Sequence, residues 1–142
     1  MTWYYKGEPI DEIDPIYLAF VYLITNLQTG KKYIGLKTTK SARTSVKTVK
    51  LKDGTKKKKK VRSKVESDWR EYWSSSEELK KDVELLGKEN FKREILYFCS
   101  NKGTANYLEA REQFDKRVLE HPDKWYNGII NCRVHWSHVR LG

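Results

Sequence analysis

The chain has 142 residues, 38% of them hydrophobic and 13% aromatic, and a formal net charge of +10. That length buries a core without disulfides or metals, and two cysteines, Cys99 and Cys132, exclude a disulfide framework and fit a reducing compartment. No apolar run approaches the roughly 20 residues that span a bilayer, and MTWYYKGEP lacks the apolar stretch of a signal peptide, so the expectation is a soluble, cytoplasmic protein with one domain over residues 1–142.

The charge is concentrated. Between Lys40 and Arg70 thirteen Lys and Arg stand against three acids, and the rest of the chain has sixteen of each sign. A basic segment on a neutral body is the electrostatic footprint of a polyanion binder, whereas a run such as Lys56 to Lys60 on its own is also what a solvated loop looks like.

In chain order, residues 1–19 read as an arm, a short strand or extended segment packing its aromatics on the body, with an acidic patch at Asp11, Glu12 and Asp14. Phe20 to Gly35, FVYLITNLQTGKKYIG, reads as two strands joined at Asn26 to Gly30: β-branched and aromatic residues fill the first strand, and Gly30 suits the positive φ of a tight turn. Leu36 to Ser45 is polar and basic, compatible with a short helix or a loop. Residues 46–65 read as a second, basic hairpin, with Asp53-Gly54 as a two-residue turn. A ribbon of that shape can enter a DNA groove or follow a phosphate backbone; its candidate contacts are Lys47, Lys50, Lys52, Lys56, Lys57, Lys58, Lys59, Lys60 and Arg62, with Lys37 before it.

Trp69, Tyr72 and Trp73 have helical spacing. The run Ser74 to Ser76 before Glu77 and Glu78 then predicts an N-cap for a helix that carries Leu79, Val83 and Leu86 and stops at Gly87. Phe91 to Cys99 reads as a third strand. Thr104 to Glu120 reads as the longest helix, capped by Thr104, with Tyr107, Ala110, Phe114 and Val118 on one apolar face and Ala105, Leu108 and Leu119 on a narrower one. Glu112 falls within the narrow face and Glu109 at its margin. Trp125 to Arg133 is expected to end in a short strand, followed by a tail over 132–142.

The spacing of several residues resembles a known family. Tyr22 and Tyr33-Ile34-Gly35, with ten residues between the tyrosines, resemble the paired motifs of the GIY-YIG nucleases, although Phe20-Val21-Tyr22 stands where Gly-Ile-Tyr is usual. Arg43 stands eight residues after Gly35, where the family places an arginine. YWSSSEELKKDVELLGKENF (Tyr72 to Phe91), Asn106-Tyr107-Leu108-Glu109 and Tyr126-Asn127 are similar to its later motifs.

The resemblance implies a small α/β (α+β) nuclease, with a central antiparallel sheet of about three strands flanked by helices and the basic ribbon as an insertion of the kind found in small phage-encoded or homing members. It implies Mg²⁺- or Mn²⁺-dependent cleavage of DNA, most naturally double-stranded, by a monomer or by a dimer on DNA. Tyr22 would orient or deprotonate the attacking water, Tyr33 would assist, Arg43 would fork onto the phosphate, Glu109 would hold the metal and Asn127 would hold the site together. Glu112 is the alternative metal ligand, Arg62 and Arg70 are alternative arginines, and Asn131 is an alternative to Asn127. A rival from another class is a non-catalytic nucleic-acid binder of the same shape. Cys132, His135 and His138 have zinc-ligand chemistry without a standard spacing.

Overall fold

A strand with large apolar residues at both odd and even positions needs cover on both faces, and the strand that has them lies inside the sheet. The computed structural model describes residues 2–50 and 54–141, with positions 41–47, 49–50 and 57–64 described by their backbone alone. In it β3 (Ala19–Asn26) lies between β4 (Lys32–Thr38) and β7 (Phe91–Cys99), antiparallel to both. Phe20, Tyr22 and Ile24 join Trp3, Trp69 and Ile95 in one core, to which α1 (Glu77–Leu86) adds Leu79 and Val83. Ala19 and Val21 join Ile34 and Cys99 in a second core, to which α2 (Lys102–Asp115) adds Ala105 and Leu108. The architecture is the mixed α+β arrangement expected, a sheet flanked by helices.

The sheet has five strands rather than about three. The N-terminal arm folds into β1 (Trp3–Tyr5) and β2 (Glu8–Ile10) about a turn at Lys6 and Gly7, both with positive φ. β1 docks parallel on β7, giving the order β2-β1-β7-β3-β4. Docking covers an edge that β7 would otherwise expose, and it seats Trp3, whose Nε1 donates to Trp69 O at 2.8 Å.

Leu36 to Ser45 is neither helix nor loop. β4 continues to Thr38, and β5 (Lys40–Lys50) starts two residues later and pairs with β6 (Lys56–Glu66) as a separate two-stranded sheet. The ribbon is therefore longer than 46–65. Its described register runs to Lys50 opposite Lys56, and the expected Asp53-Gly54 turn falls between them, with residues 51–53 outside the described residues.

α1 follows its sequence signals: Ser76 Oγ accepts from Leu79 N at 3.3 Å, and Gly87 ends the helix at φ 92°. α2 departs from its own. Its cap is Asn101, whose Oδ1 accepts from Thr104 N at 2.8 Å, and it ends at Asp115, because Arg117 adopts a left-handed conformation and opens a 3₁₀ turn over Val118–Glu120. That break takes Val118 and Leu119 out of the helical stripes. Ala105 and Leu108 pack on the sheet, while Tyr107 and Phe114 face solvent. Residues 125–133 form no strand among the described residues; Trp125 makes an isolated bridge to Lys32. Among the described residues no helix is long and apolar enough to cross a membrane.

Candidate active site

The register of the first hairpin places Tyr22 directly opposite Gly35. A residue with no side chain lets the phenol lie across the neighbouring strand: a Cβ on Gly35 would stand 2.6 Å from Tyr22 Cζ and 2.8 Å from Tyr33 Cε1. Tyr22 is fully buried, and its hydroxyl has no hydrogen-bond partner among the described residues. Burial, then the neighbouring Tyr72 and Tyr33 phenols, hold it well above the ordinary tyrosine range.

Tyr33 stands one ring further out, with centroids 6.1 Å apart. Its Oη shares a 3.1 Å hydrogen bond with Ser75 Oγ, and burial raises its phenol too. Ser75 follows Ser74, which holds a positive φ of 95°, a conformation that costs a non-glycine residue energy and is characteristic of functional sites.

Tyr33 and Ser75 share a cavity of about 370 Å³ with Glu109, Gln113, Asn127 and Asn131. The cavity lies along β4, the open edge of the sheet. Asn127 clips that edge like a missing strand: its Oδ1 accepts from Ile34 N at 3.0 Å and its Nδ2 donates to Ile34 O at 2.7 Å. Its neighbour Tyr126 is anchored from below, with Oη donating to Asp82 Oδ2 at 2.6 Å and accepting from Asn26 Nδ2 at 3.1 Å.

Glu109 reaches the cavity from the middle of α2, and burial raises its carboxyl to about 7. Among the described residues no salt bridge engages it. Glu112 serves elsewhere: it accepts from Tyr97 Oη on β7 at 2.6 Å and does not line the cavity. The structure thus places Tyr33, Glu109, Asn127 and Asn131 on one cavity, with Tyr22 directly behind it.

The cations are less gathered. Lys37 is paired with Asp68 at 2.6 Å and lies 4.3 Å over the Tyr72 ring, which meets Tyr22 edge-on. Its hydrogen bond lowers the Asp68 carboxyl below its ordinary value. Arg70 pairs with Glu66 at 3.2 Å, donates to Asp11 O, and lines a different cavity that shares no residue with that of Glu109. Arg43 and Arg62 are ribbon residues at adjacent rungs, opposite Ser63 and Thr44, and only their backbone is described. Four strand residues beyond Thr39 put Arg43 about 13 Å along the ribbon from the sheet. Lys47, Lys50 and Lys56 to Lys60 also belong to the ribbon strands, with Lys56 exposed, and Lys52 lies outside the described residues.

The donor set tests which metal would fit. One carboxylate among amide and hydroxyl oxygens suits a hard, largely hydrated cation such as Mg²⁺ or Mn²⁺, which needs few protein ligands. Among the described residues no group of three His, Cys, Asp or Glu could hold a metal; Cys99 is buried in the second core, and His135 Nδ1 pairs with Ser137 Oγ at 2.7 Å.

Sequence reasoning alone missed Ser75, Gln113 and Tyr126. Two of them had a signal: Gln113 lies one helical turn after Glu109, and Tyr126 adjoins Asn127.

Residues 3–130 match the family profile described as "Putative endonuclease segE, GIY-YIG domain". No curated protein and no solved structure matches the chain. The profile covers nearly the whole length, including both tyrosines of the hairpin, Glu109 and Asn127, and the chain therefore belongs to the GIY-YIG endonuclease family.

Proposed function

We propose that this endonuclease domain hydrolyses phosphodiester bonds of double-stranded DNA, with one Mg²⁺ or Mn²⁺ held by Glu109. The observation that carries the reading is a half-buried carboxylate with no salt bridge among the described residues, sharing one cavity with Tyr33 and backed by Tyr22. The cation, when bound, supplies stabilisation of the charge that develops on the phosphoryl oxygens.

The chain's own groups divide the remaining tasks. Tyr22 and Tyr33 orient the attacking water and take part in moving its proton. Tyr33 is the one on the cavity wall, so it meets the substrate first. Both phenols are raised by burial, so either acts as a base only beside positive charge; otherwise it works as a neutral hydrogen-bonding group. Arg43 forks onto the scissile phosphate, a bidentate task suited to guanidinium. Asn127 keeps the Ile34 peptide, between the two motif residues Tyr33 and Gly35, in place. The ribbon grips the duplex beside the cavity, as a monomer or as one half of a dimer on DNA. A cytoplasmic site of action fits two unpaired cysteines, and the small phage-encoded or homing class fits the family profile that the chain matches.

One observation favours a second reading. Lys37, which lies over the Tyr72 ring that meets Tyr22, is already paired with Asp68, which suits a nucleic-acid binder that has kept the nuclease shape without its activity. Supercoiled plasmid incubated with the protein and Mg²⁺ separates the two. Nicking that stops with EDTA and falls at least about a hundredfold in Glu109→Ala, but persists in Glu112→Ala, supports the nuclease with Glu109 as ligand. Binding without any nicking supports the second reading.

A further inference from the structure

Buried polar atoms are almost always hydrogen-bonded, and one that belongs to a residue lining the cavity is not. Gln113 is 4% exposed; its Nε2 donates to Ile34 O at 3.0 Å, and its Oε1 is buried with no partner among the described residues. Turning the amide over does not help, because Oε1 would then face the Ile34 carbonyl oxygen, acceptor against acceptor. That carbonyl also takes Asn127 Nδ2 at 2.7 Å, so two amides fill both its lone pairs. Asn127 alone satisfies both groups of the Ile34 peptide. The sheet edge therefore does not require Gln113, yet the chain buries it there with an acceptor left over.

Its position supplies the reason. Gln113 follows Glu109 by four residues, so the two are neighbours on one face of α2, and both line the same cavity. A hard cation held by a single carboxylate keeps most of its waters, and those waters are donors in search of fixed acceptors. We propose that Gln113 is a positioning residue for the cation site: locked through Nε2 onto Ile34, it presents Oε1 to a water of the cation that Glu109 holds. This rests on the reading of Glu109 given above.

The test is Mn²⁺ binding by the full chain without DNA, followed by calorimetry and by the electron-spin signal of free Mn²⁺, with thermal unfolding of each variant alongside. Gln113→Met keeps volume and removes both polar atoms; it should weaken Mn²⁺ binding about tenfold to a hundredfold, the usual effect of losing a partner outside the coordination sphere. Gln113→Glu keeps an oxygen acceptor but loses the donor to Ile34; it should lower the melting temperature while keeping Mn²⁺ affinity within about threefold of wild type. A residue that only braces the edge gives the opposite pattern, with affinity falling in step with stability in both variants, and that result overturns the proposal. Wild-type affinity in a folded Gln113→Met also overturns it. If Glu109→Ala abolishes binding in that same experiment, the Glu109 reading stands and only the role of Gln113 falls; if Glu109→Ala binds normally, both fall together. Should Gln113→Met not fold, a tenfold or greater loss in folded Gln113→Glu is sufficient to reject the proposal.

Discussion

Two antiparallel hairpins follow one another in this chain, and they are held in opposite ways. β3–β4 and β5–β6 each have a glycine with positive φ in the connecting loop, Gly30 at 78° and Gly54 at 87°. The first is built into the body: β3 is covered on both faces, and β4 is clipped at Ile34 by Asn127 and Gln113. The second is joined to the body at its foot, by Ser67 N to Thr39 O at 2.9 Å, Ser67 Oγ to Thr38 O at 2.6 Å and Lys40 Nζ to Pro15 O at 2.7 Å. Its register sets Lys47 opposite Lys59 and Lys50 opposite Lys56. Like charges directly opposite each other weaken a ladder, and a lone two-stranded ribbon is marginal in water. The difference teaches that burial fixes the first hairpin from within, whereas the second, on the reading proposed above, takes its counter-charge from a polyanion.

The largest test removes the second hairpin. Ser45 and Val61 are paired, so excising residues 46–60 and closing the gap with Asn-Gly leaves a short, in-register stub. The body should keep its melting temperature, because among the described residues its two cores include none from the excised stretch. DNA affinity at low salt should fall by roughly three decades, and the slope of log K against log salt should flatten by about 0.9 for each phosphate the ribbon no longer neutralises. Fluorescence anisotropy over a salt series measures both. An unchanged slope places the DNA-binding surface elsewhere, and a collapse in body stability breaks the comparison itself.

A second pair of variants sharpens it. Gly35→Ala forces a methyl into Tyr22 and Tyr33, which should cost about 1–3 kcal/mol by overpacking and, through displaced phenols, about a hundredfold in nicking. Gly54 has nothing within 4 Å of an added Cβ, and its constraint is backbone conformation alone. Asn tolerates that conformation, so Gly54→Asn should leave denaturant unfolding of the body unchanged. Equal destabilisation by the two substitutions would mean that the ribbon is part of the cooperative core.

How much of this was legible in the sequence follows the same division. The β3–β4 hairpin was readable because both its faces are apolar and its turn is marked, and α1 because Ser76 and Gly87 punctuate it. Local signals could not show that Trp3 to Tyr5 pairs in parallel with a strand some ninety residues away, since the pairing depends on an edge that exists only once β7 has docked. Nor could they show that Leu36 to Ser45 is extended, because a ribbon outside the core imposes no apolar alternation. The long helix misled through a contiguous stripe that Arg117 cuts by turning left-handed, leaving Phe114 in solvent. In the candidate site, the tyrosines and Asn127 were accessible through their resemblance to the family's motifs, and the preference for Glu109 over Glu112 in the proposed reading rests on the Tyr97 hydrogen bond that occupies the latter. Gln113 had only its place one turn after Glu109 to mark it, because its partner is a backbone carbonyl on the sheet edge, which no side-chain pattern announces.

The smallest expected effect separates the hairpins by pH. Glu109 belongs to the body, and its carboxyl is raised from the ordinary 4.5 to about 7 by burial. Between these values the folded chain holds a proton that the unfolded chain has released, so stability falls as pH rises. The contribution is complete below about pH 4.5 and is lost as pH passes through about 7. Among the described residues no ribbon residue lines the cavity that holds Glu109, so removal of the ribbon should not alter this decline. The melting temperature of wild type minus that of Glu109→Gln, followed from pH 4.5 to 8, should decline across this window, and the same decline should appear in the ribbon-excised chain. A difference that stays flat with pH places the Glu109 carboxylate in water rather than in a desolvated site. A decline that vanishes on excision would mean that the ribbon folds back over the cavity, and the two hairpins would then be coupled beyond the foot contacts seen among the described residues.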